Sequence, residues 1–386
     1  MGTPAPEQQA WGIWNQEVFV VGSLAQQFDP SDRLRELKYE NALYKILAAI
    51  GVIASKHQLP TKKTLKVYLG VLLPWNEYSD RQRFESQLVQ MLARFSFRDS
   101  SLKVKLTRFL LRPEGAGLAA SRLRIQGQDW FSQRRLGILM FGHRNVTSLY
   151  FELGELKSGS SPLLGFSRFL EQVIELTSGL SSPPLVSAIF LAIHEAGSQL
   201  YRTDPAEMNY RLGKLTRNAY TVHPQWEKSG AIQALASARN PQLRTQEISA
   251  LVKAIREATV DYWEQLAKWL KKSLPPTVDE VSISGGAAYF LQPELEDYFN
   301  AQPSLLPTPK GGLSEVRTGW YQPRHQYRPF SQICWGAGSI KQMLSALKLT
   351  DERCRQQGLT YRLLDVFGLF DCMIESENSR EPKQTA

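Results

Sequence analysis

Nine residues, Leu65 to Leu73, constrain the fold of this chain more than any other stretch. Leu65-Lys66-Val67-Tyr68-Leu69-Gly70-Val71-Leu72-Leu73 is almost continuously apolar and stops at Pro74, the pattern of a buried strand. Upstream, Leu37, Leu43, Ile46, Leu47, Ile50 and Ile53 recur at three- and four-residue spacing between Asp32 and His57. That spacing predicts an amphipathic helix that ends before Pro60. Downstream, the polar loop Trp75 to Asp80 leads into a second helix near Arg81 to Arg94. Helix, buried strand and helix in succession describe an α/β protein.

The rest of the chain repeats that grammar. Residues 1–15 are polar and rich in Pro and Gly, so they read as a loose entry, and the first strand is expected at Glu17 to Val21, stopping at Gly22. Two or three strands are expected over 97–126, broken at Pro113-Glu114-Gly115. A second unit opens with the buried strand Leu136 to Phe141, the turn Gly142-His143-Arg144-Asn145 and the partner strand Val146 to Leu153. Helices follow at Leu163 to Thr177 and, in short pieces, over 181–245. From Glu247 to Lys272, Leu251, Ile255, Ala258, Tyr262, Leu266 and Trp269 share one helical stripe that Pro275-Pro276 ends. The strand Val281 to Ser284, a helix at Ala288 to Phe299, a Pro- and aromatic-rich loop over 302–333 and helices near Gly338 to Lys348 and Asp351 to Arg355 lead to Leu364 to Phe370 and a polar tail.

Composition excludes several classes. The 386 residues carry a net charge of +9 and are 42% hydrophobic and 22% charged, too apolar and too weakly charged for a disordered chain. The longest apolar runs, Ile46 to Ile53 and Leu185 to Ile193, fall well short of the ~20 residues of a membrane-spanning helix. MGTPAPEQQAWGIW has neither a basic start nor a continuous apolar stretch, so the sequence predicts no export. Cys334, Cys354 and Cys372 are odd in number and lack CxxC spacing, which points to a reduced, cytoplasmic protein rather than a disulfide or zinc scaffold. His57, His143, His194, His223 and His325 form no metal-binding pair, and neither a GxSxG nor a P-loop pattern occurs. Positive charge gathers at Arg94 to Arg135, where ten basic residues against three acidic ones leave +7. Two readings stay open there: a contact surface for nucleic acid or an acidic partner, or alternating charge on solvent-facing strands. The loop Trp320 to Arg328 interleaves aromatic and basic residues in a way that suits either nucleic acid or a protein contact.

Three short motifs are candidates for chemistry. In Ser284-Gly285-Gly286-Ala287, paired glycines between a strand and a helix let backbone approach a ligand closely, as a nucleotide contact requires and as any tight turn allows. At Gly142-His143-Arg144-Asn145, backbone N–H groups and the Arg144 guanidinium are suited to phosphate, against the alternative of an ordinary hairpin turn. Glu114, at a strand end between turn formers, could orient a water for attack on a phosphate, or be a solvated turn residue.

Taken in order, these segments resemble the bacterial actin-like family of the ParM/StbA plasmid-segregation type, particularly its cyanobacterial members. The markers are VVGSLAQQF (20–28), ELKYENALYKILAAIGVI (36–53), LGVLLPWNEYSDR (69–81), RPEGAG (112–117), LMFGHRN (139–145), AIREATVDYWEQLAKWL (254–270), VSISGGAAYFL (281–291) and YRLLDVFGL (361–369). The resemblance implies an actin-like, ribonuclease H-like α/β fold with two domains flanking a nucleotide cleft. A flexible N-terminus over 1–16 would precede a first domain over 17–130, completed by 335–375; the second domain would span 131–334, and 376–386 would be a flexible tail. ATP or ADP would be the ligand, with Mg2+ as companion ion. Gly142, His143, Arg144 and Asn145 would form the second phosphate loop, Ser284, Gly285, Gly286 and Ala287 the adenosine loop, and Glu114 the water-orienting acid. Lys38, Tyr39 and Glu40 belong to a family segment without an assigned chemical role.

Two departures from the family pattern shape the expected function. Such proteins begin with a strand, a Gly-rich turn carrying an Asp and a further strand, and nothing before Glu17 supplies them, so the first domain is expected to be incomplete. Either the chain is truncated at its start or it has lost ATP turnover. Met140 also stands where a strand-end Asp is usual, leaving Mg2+ few hard oxygen ligands. The resemblance then implies filaments controlled by ATP binding, with weak or absent hydrolysis, that segregate plasmid DNA or organise a cytoskeleton through DNA or a DNA-binding adaptor. The rival expectation is a non-polymerising, degenerate binding module that contacts DNA or an acidic partner through 94–135 or 317–328.

Overall fold

The computed structural model describes residues 5–28, 37–177, 179–196, 225–300, 332–350 and 359–378. The chain divides into two compact units: Met1–Glu114 with Met373–Ala386, and Gly115–Cys372.

Unit 1 opens with a β-hairpin, β1 (Trp11–Trp14) and β2 (Glu17–Val20). Asn15 and Gln16 both take positive φ, 49° and 68°, which gives the two-residue turn the hand that matches strand twist. The loose entry expected over 1–15 is therefore corrected: Trp11–Trp14 is a strand, and Ala10 before it is buried. Helix α1 (Lys38–Lys56) buries Tyr39, Leu43, Leu47, Ile50 and Ala54 at the helical period. Strand β3 (Leu65–Leu73) is followed by α2 (Arg81–Ala93), the short strands β4 (Phe95–Phe97) and β5 (Ser100–Leu102), and β6 (Val104–Pro113). These strands make two separate sheets, an antiparallel one in the order β2-β1-β4-β5 and a parallel pair β3-β6. The core joins one face of α1 to Phe84, Leu88 and Leu92 of α2 and to Phe97.

Unit 2 begins with α3 (Ala116–Gln126) and the single turn α4 (Gln128–Ser132). A helix over 116–126 corrects the strand expected there; Gly115 sets it off by adopting φ +93°, a conformation that costs glycine little. Next come β7 (Arg135–Phe141), β8 (Val146–Glu152), β9 (Glu155–Ser160), α5 (Phe166–Glu175) and α6 (Ser182–Ala196). After the short α7 (Gly230–Gln233), α8 (Pro241–Ser273) runs for 33 residues, about 50 Å at 1.5 Å per residue. Asn240 starts it by accepting hydrogen bonds from the Gln242 and Leu243 N–H groups (2.9 and 3.3 Å). Strand β10 (Glu280–Ser284), α9 (Gly286–Phe290), α10 (Gln292–Asn300), β11 (Gln332–Cys334), α11 (Ala337–Ala346) and α12 (Leu359–Asn378) complete the chain. The single helix expected over 288–299 is broken in two because Pro293 cannot donate to the preceding turn.

The sheet of unit 2 has the order β11-β10-β7-β8-β9, with β7, β8 and β9 antiparallel and β10 and β11 parallel to β7. A mixed sheet of this kind among helices agrees with the α/β, actin-like fold class that the resemblance implied. The whole expected stripe of α8, Leu251, Ile255, Ala258, Tyr262, Leu266 and Trp269, lies in the core of this unit, together with Phe166, Phe169, Val281 and Ile283.

The unit boundary differs from the expected one. Residues 115–130 and 335–372 belong to unit 2, and α12 is fastened there to the start of α3: Asp365 accepts hydrogen bonds from the N–H groups of Gly115 (2.7 Å) and Leu118 (3.1 Å). Most of the loop expected over 302–333, the helix over 351–355, His223, His325, Cys354 and the 317–328 surface lie outside the described residues.

Candidate functional site

Within unit 2 the carboxyl ends of two parallel strands lie side by side, with Ser284 of β10 opposite Met140 of β7. In α/β sheets ligands bind at such ends. A Cβ on Gly285 would lie 2.3 Å from the Phe141 carbonyl oxygen, so only glycine lets the two strand ends approach this closely, and its φ of +103° is a second reason.

The turn Gly142 to Asn145 leaves β7 at that point. The Gly142 N–H donates across the turn to the Asn145 carbonyl (3.0 Å). The carbonyls of Gly142, His143 and Arg144 accept in turn from the N–H groups of Phe166 (3.0 Å), Ser167 (2.8 Å) and Gly165 (3.1 Å), at the N-terminus of α5. No described peptide bond is cis, so each amide N–H points opposite the carbonyl of its own planar unit. The N–H groups of His143, Arg144 and Asn145 are therefore all directed away from α5. Successive N–H groups with one orientation form an anion-binding concavity. His143 is exposed and Arg144 half-buried beside it.

Other expected contacts are spent inside the protein. The Asn145 side chain is buried and donates to Ser161 Oγ (2.5 Å), which lies 2.8 Å from Thr147 Oγ1. Ser284 Oγ and the Gly285 N–H both donate to the Tyr361 carbonyl, at 2.5 and 3.1 Å. Ala287 is buried in the core, while Gly286 is half-buried beside the Arg362 side chain. Around this loop the Tyr361 ring stacks on Tyr289 (5.9 Å between centroids) and meets Trp335 edge-on (5.7 Å).

Two positions that matter here were given no role in the sequence reading, although Tyr361 opens the marker segment 361–369. Gly165 is one: a Cβ there would lie 2.2 Å from the Arg144 carbonyl carbon, so the turn can rest on α5 only if residue 165 has no side chain. Tyr361 is the other, and it acts through its backbone oxygen, which any residue type offers.

Glu114 belongs to unit 1. Its N–H donates to the Leu73 carbonyl (2.7 Å), which fixes it at the end of β6, and its carboxylate forms an ion pair with Lys38 at the start of α1. The buried Glu77 carboxylate accepts from the Tyr39 N–H (2.9 Å), so two carboxylates serve the positive end of α1.

The basic run Arg94 to Arg135 is partly neutralised. Arg122 makes a bidentate pair with buried Glu280 (2.6 and 2.7 Å), Arg124 pairs with Asp371 (2.5 Å), and Arg135 pairs with Asp279 (2.9 Å). The Arg135 guanidinium, by hydrogen bonding, holds the Asp279 carboxyl below its ordinary value, and burial opposes it. Among the described residues no group of three or more His, Cys, Asp or Glu is placed to hold a metal ion, and no helix is long and apolar enough to cross a membrane.

No protein-family model and no curated protein matches the chain. The structure is similar to solved ParM and actin-homologue structures. A ParM of Bacillus thuringiensis in apo form is 14% identical, with 98% of this chain and 85% of that one covered, at a TM-score of 0.40. An Alp12 filament structure is 12% identical over 87% of this chain and 75% of that one, at 0.38. The archaeal actin homologue Ta0583 is 13% identical over 85% and 76%, at 0.35. At these scores the likenesses assign no residue and no activity.

Proposed function

We propose that this chain is an actin-like nucleotide-binding protein whose second unit takes the phosphates of ATP or ADP at Gly142 to Asn145 and the nucleoside beside Ser284 to Ala287. The observation that carries the phosphate assignment is the common direction of the His143, Arg144 and Asn145 N–H groups, held there by three carbonyl contacts to α5. Arg144, next to these amides, adds a cation suited to phosphate. The Ser284 hydroxyl, the Gly285 N–H and the Asn145 side-chain amide serve by positioning: they brace the two loops from behind rather than meeting a ligand.

Glu114 is the proposed water-orienting acid, with Lys38 holding its carboxylate in place. Mg2+, where bound, would supply charge neutralisation of the phosphates. The residues fit it poorly, since Gly142 to Asn145 includes no carboxylate and Met140 occupies the strand end. Hydrolysis is accordingly slow or absent, and binding alone drives the switch. Following the sequence resemblance, the switch controls head-to-tail assembly into filaments that segregate plasmid DNA through an adaptor. Heterologous contacts of this kind do not close and so build filaments.

Two measurements on the full chain test this reading. Titration with a fluorescent ATP analogue should show saturable binding that Arg144→Ala weakens about tenfold or more, the loss of one charge-assisted contact. Pelleting with ATP, with ADP and without nucleotide, followed by negative-stain microscopy, should give ordered filaments with ATP alone. Absence of nucleotide binding in a folded protein would overturn the site. Binding without filaments would overturn the assembly role and leave the site standing.

A further inference from the structure

The basic run Arg94 to Arg135 does not act as one surface. Its later members, Arg122, Arg124 and Arg135, meet carboxylates. Lys105 instead stands beside another cation, because the register of the parallel pair β3-β6 sets it directly against Lys66, which lies outside the run. Like charges placed opposite each other in a sheet are destabilising, so the fold gains nothing from this pairing.

The two faces of this pair are unlike. Leu65, Val67 and Leu106 pack toward the core of unit 1, and Val104 is buried in it. Alternation puts Lys66, Tyr68 and Lys105 on the other face, and all three are exposed, Tyr68 by 49%. Lys103, two residues before Lys105, is also exposed, as are Lys62 and Lys63 in the segment that leads into β3. From His57 to Asn76 and from Ser100 to Pro113, the stretches that build this end of the sheet, the chain has seven basic residues and no acidic one. The basic surface is thus assembled from two segments, and the sequence run contains only one of them.

We propose that this face binds the phosphate backbone of duplex DNA, with Lys62, Lys63, Lys66, Lys103 and Lys105 as its charged contacts and the Tyr68 hydroxyl as a hydrogen-bonding one. Spacing favours DNA over an acidic protein. Lys103 and Lys105 are about 7 Å apart along the strand direction, and Lys66 is about 5 Å across from Lys105. A duplex offers one charge per about 1.7 Å of its axis, so each ammonium finds its own phosphate. An extended acidic peptide turns a carboxylate to one face only every ~7 Å, too sparse to match the cluster. The residue type agrees: lysines are point charges on flexible stems, suited to a partner met by charge density, whereas the bidentate fork of Arg122 is spent on Glu280. The DNA contact then belongs to this chain itself and needs no adaptor. It rests on unit 1 alone and does not depend on the nucleotide reading.

Fluorescence anisotropy of a labelled duplex of roughly 30 base pairs, titrated with the full chain without nucleotide at about 50 to 200 mM salt, tests the proposal. The expected result is binding whose log constant falls against log salt with a slope of about −3 to −5, near −0.9 for each phosphate neutralised. Lys66→Gln combined with Lys105→Gln removes two contacts and relieves a like-charge opposition, so the variant folds; it should flatten the slope by about 2 and weaken binding about tenfold or more. Lys66→Arg combined with Lys105→Arg should keep the slope. Lys271→Gln combined with Lys272→Gln makes the same change of net charge at the exposed end of α8, and should leave the slope as in wild type. No binding at the lowest salt overturns the proposal, as does a slope that the two Gln double variants change alike. Poly-glutamate or phosphatidylserine vesicles that compete as well as unlabelled duplex overturn the choice of partner.

Discussion

Asp365 caps a helix that begins 250 residues earlier in the chain: its Oδ2 accepts from the Gly115 N–H at 2.7 Å and its Oδ1 from the Leu118 N–H at 3.1 Å. The first turn of α3 thereby receives from α12 the acceptor that its own preceding residues do not supply. Asp365→Ala would leave two buried donors without that acceptor, and unfolding in urea should show a loss of about 1–3 kcal/mol. Asp365→Asn, which keeps one acceptor oxygen, should lose less.

The same two helices cross through glycines. A Cβ on Gly117 would lie 1.8 Å from the Asp365 carbonyl oxygen, and one on Gly368 would lie 2.2 Å from the Gly117 carbonyl oxygen. In an exposed helix Gly→Ala stabilises by up to ~1 kcal/mol. Here Gly117→Ala and Gly368→Ala should each destabilise by about 1–3 kcal/mol, because the helices must move apart. The double variant should cost less than the two singles together, since the first displacement relieves the second clash. Thermal unfolding of the three variants checks both statements.

Asp279 gives a pH dependence of known sign. Its carboxyl is held below the ordinary 3.8 by Arg135, whose guanidinium and backbone N–H both donate to it. The stabilisation is therefore present above that ordinary value and disappears as pH falls through the lower, folded-state one. Asp279→Asn should be less stable than wild type at pH 7, and the difference should shrink as pH falls below 3.8 and vanish only below the lower, folded-state value. Since the side chains are 38% and 25% exposed, the difference should be small and shrink with added salt.

Asn145 separates support of the phosphate turn from contact with a ligand. Its side-chain amide donates to Ser161 Oγ (2.5 Å) in a buried cluster with Thr147. Asn145→Ala should cost about 1–2 kcal/mol of stability. The folded variant should bind the ATP analogue within about twofold of wild type, a shift below half a kcal/mol. A tenfold loss of affinity without loss of stability would place the amide on the ligand instead.

Much of the local structure was legible in the sequence, because periodicity reports which face a segment buries. The α8 stripe from Leu251 to Trp269 and the β7 turn at Gly142 to Asn145 needed only neighbours a few residues away. Trp11–Trp14 was misread because its partner strands, not its flanking Pro and Gly, decide its conformation. The segments RPEGAG (112–117) and YRLLDVFGL (361–369) stood out in the sequence, yet nothing in either shows that Asp365 caps α3 or that Gly117 and Gly368 let two helices cross.

What the sequence determined by itself was the alternation of strand and helix, the buried face of each element and the Gly-containing turns, all consequences of local sterics and hydrophobic period. What only the tertiary structure decided depends on groups far apart in the chain. The direction of the 143–145 amides comes from Gly165 and α5, and the pairing of Glu114 comes from Lys38. The start of α3 is the clearest case. Its residues specify a helix set off by Gly115, but which acceptor meets the Gly115 and Leu118 N–H groups depends on what packs against them, and no property of its own eleven side chains records that.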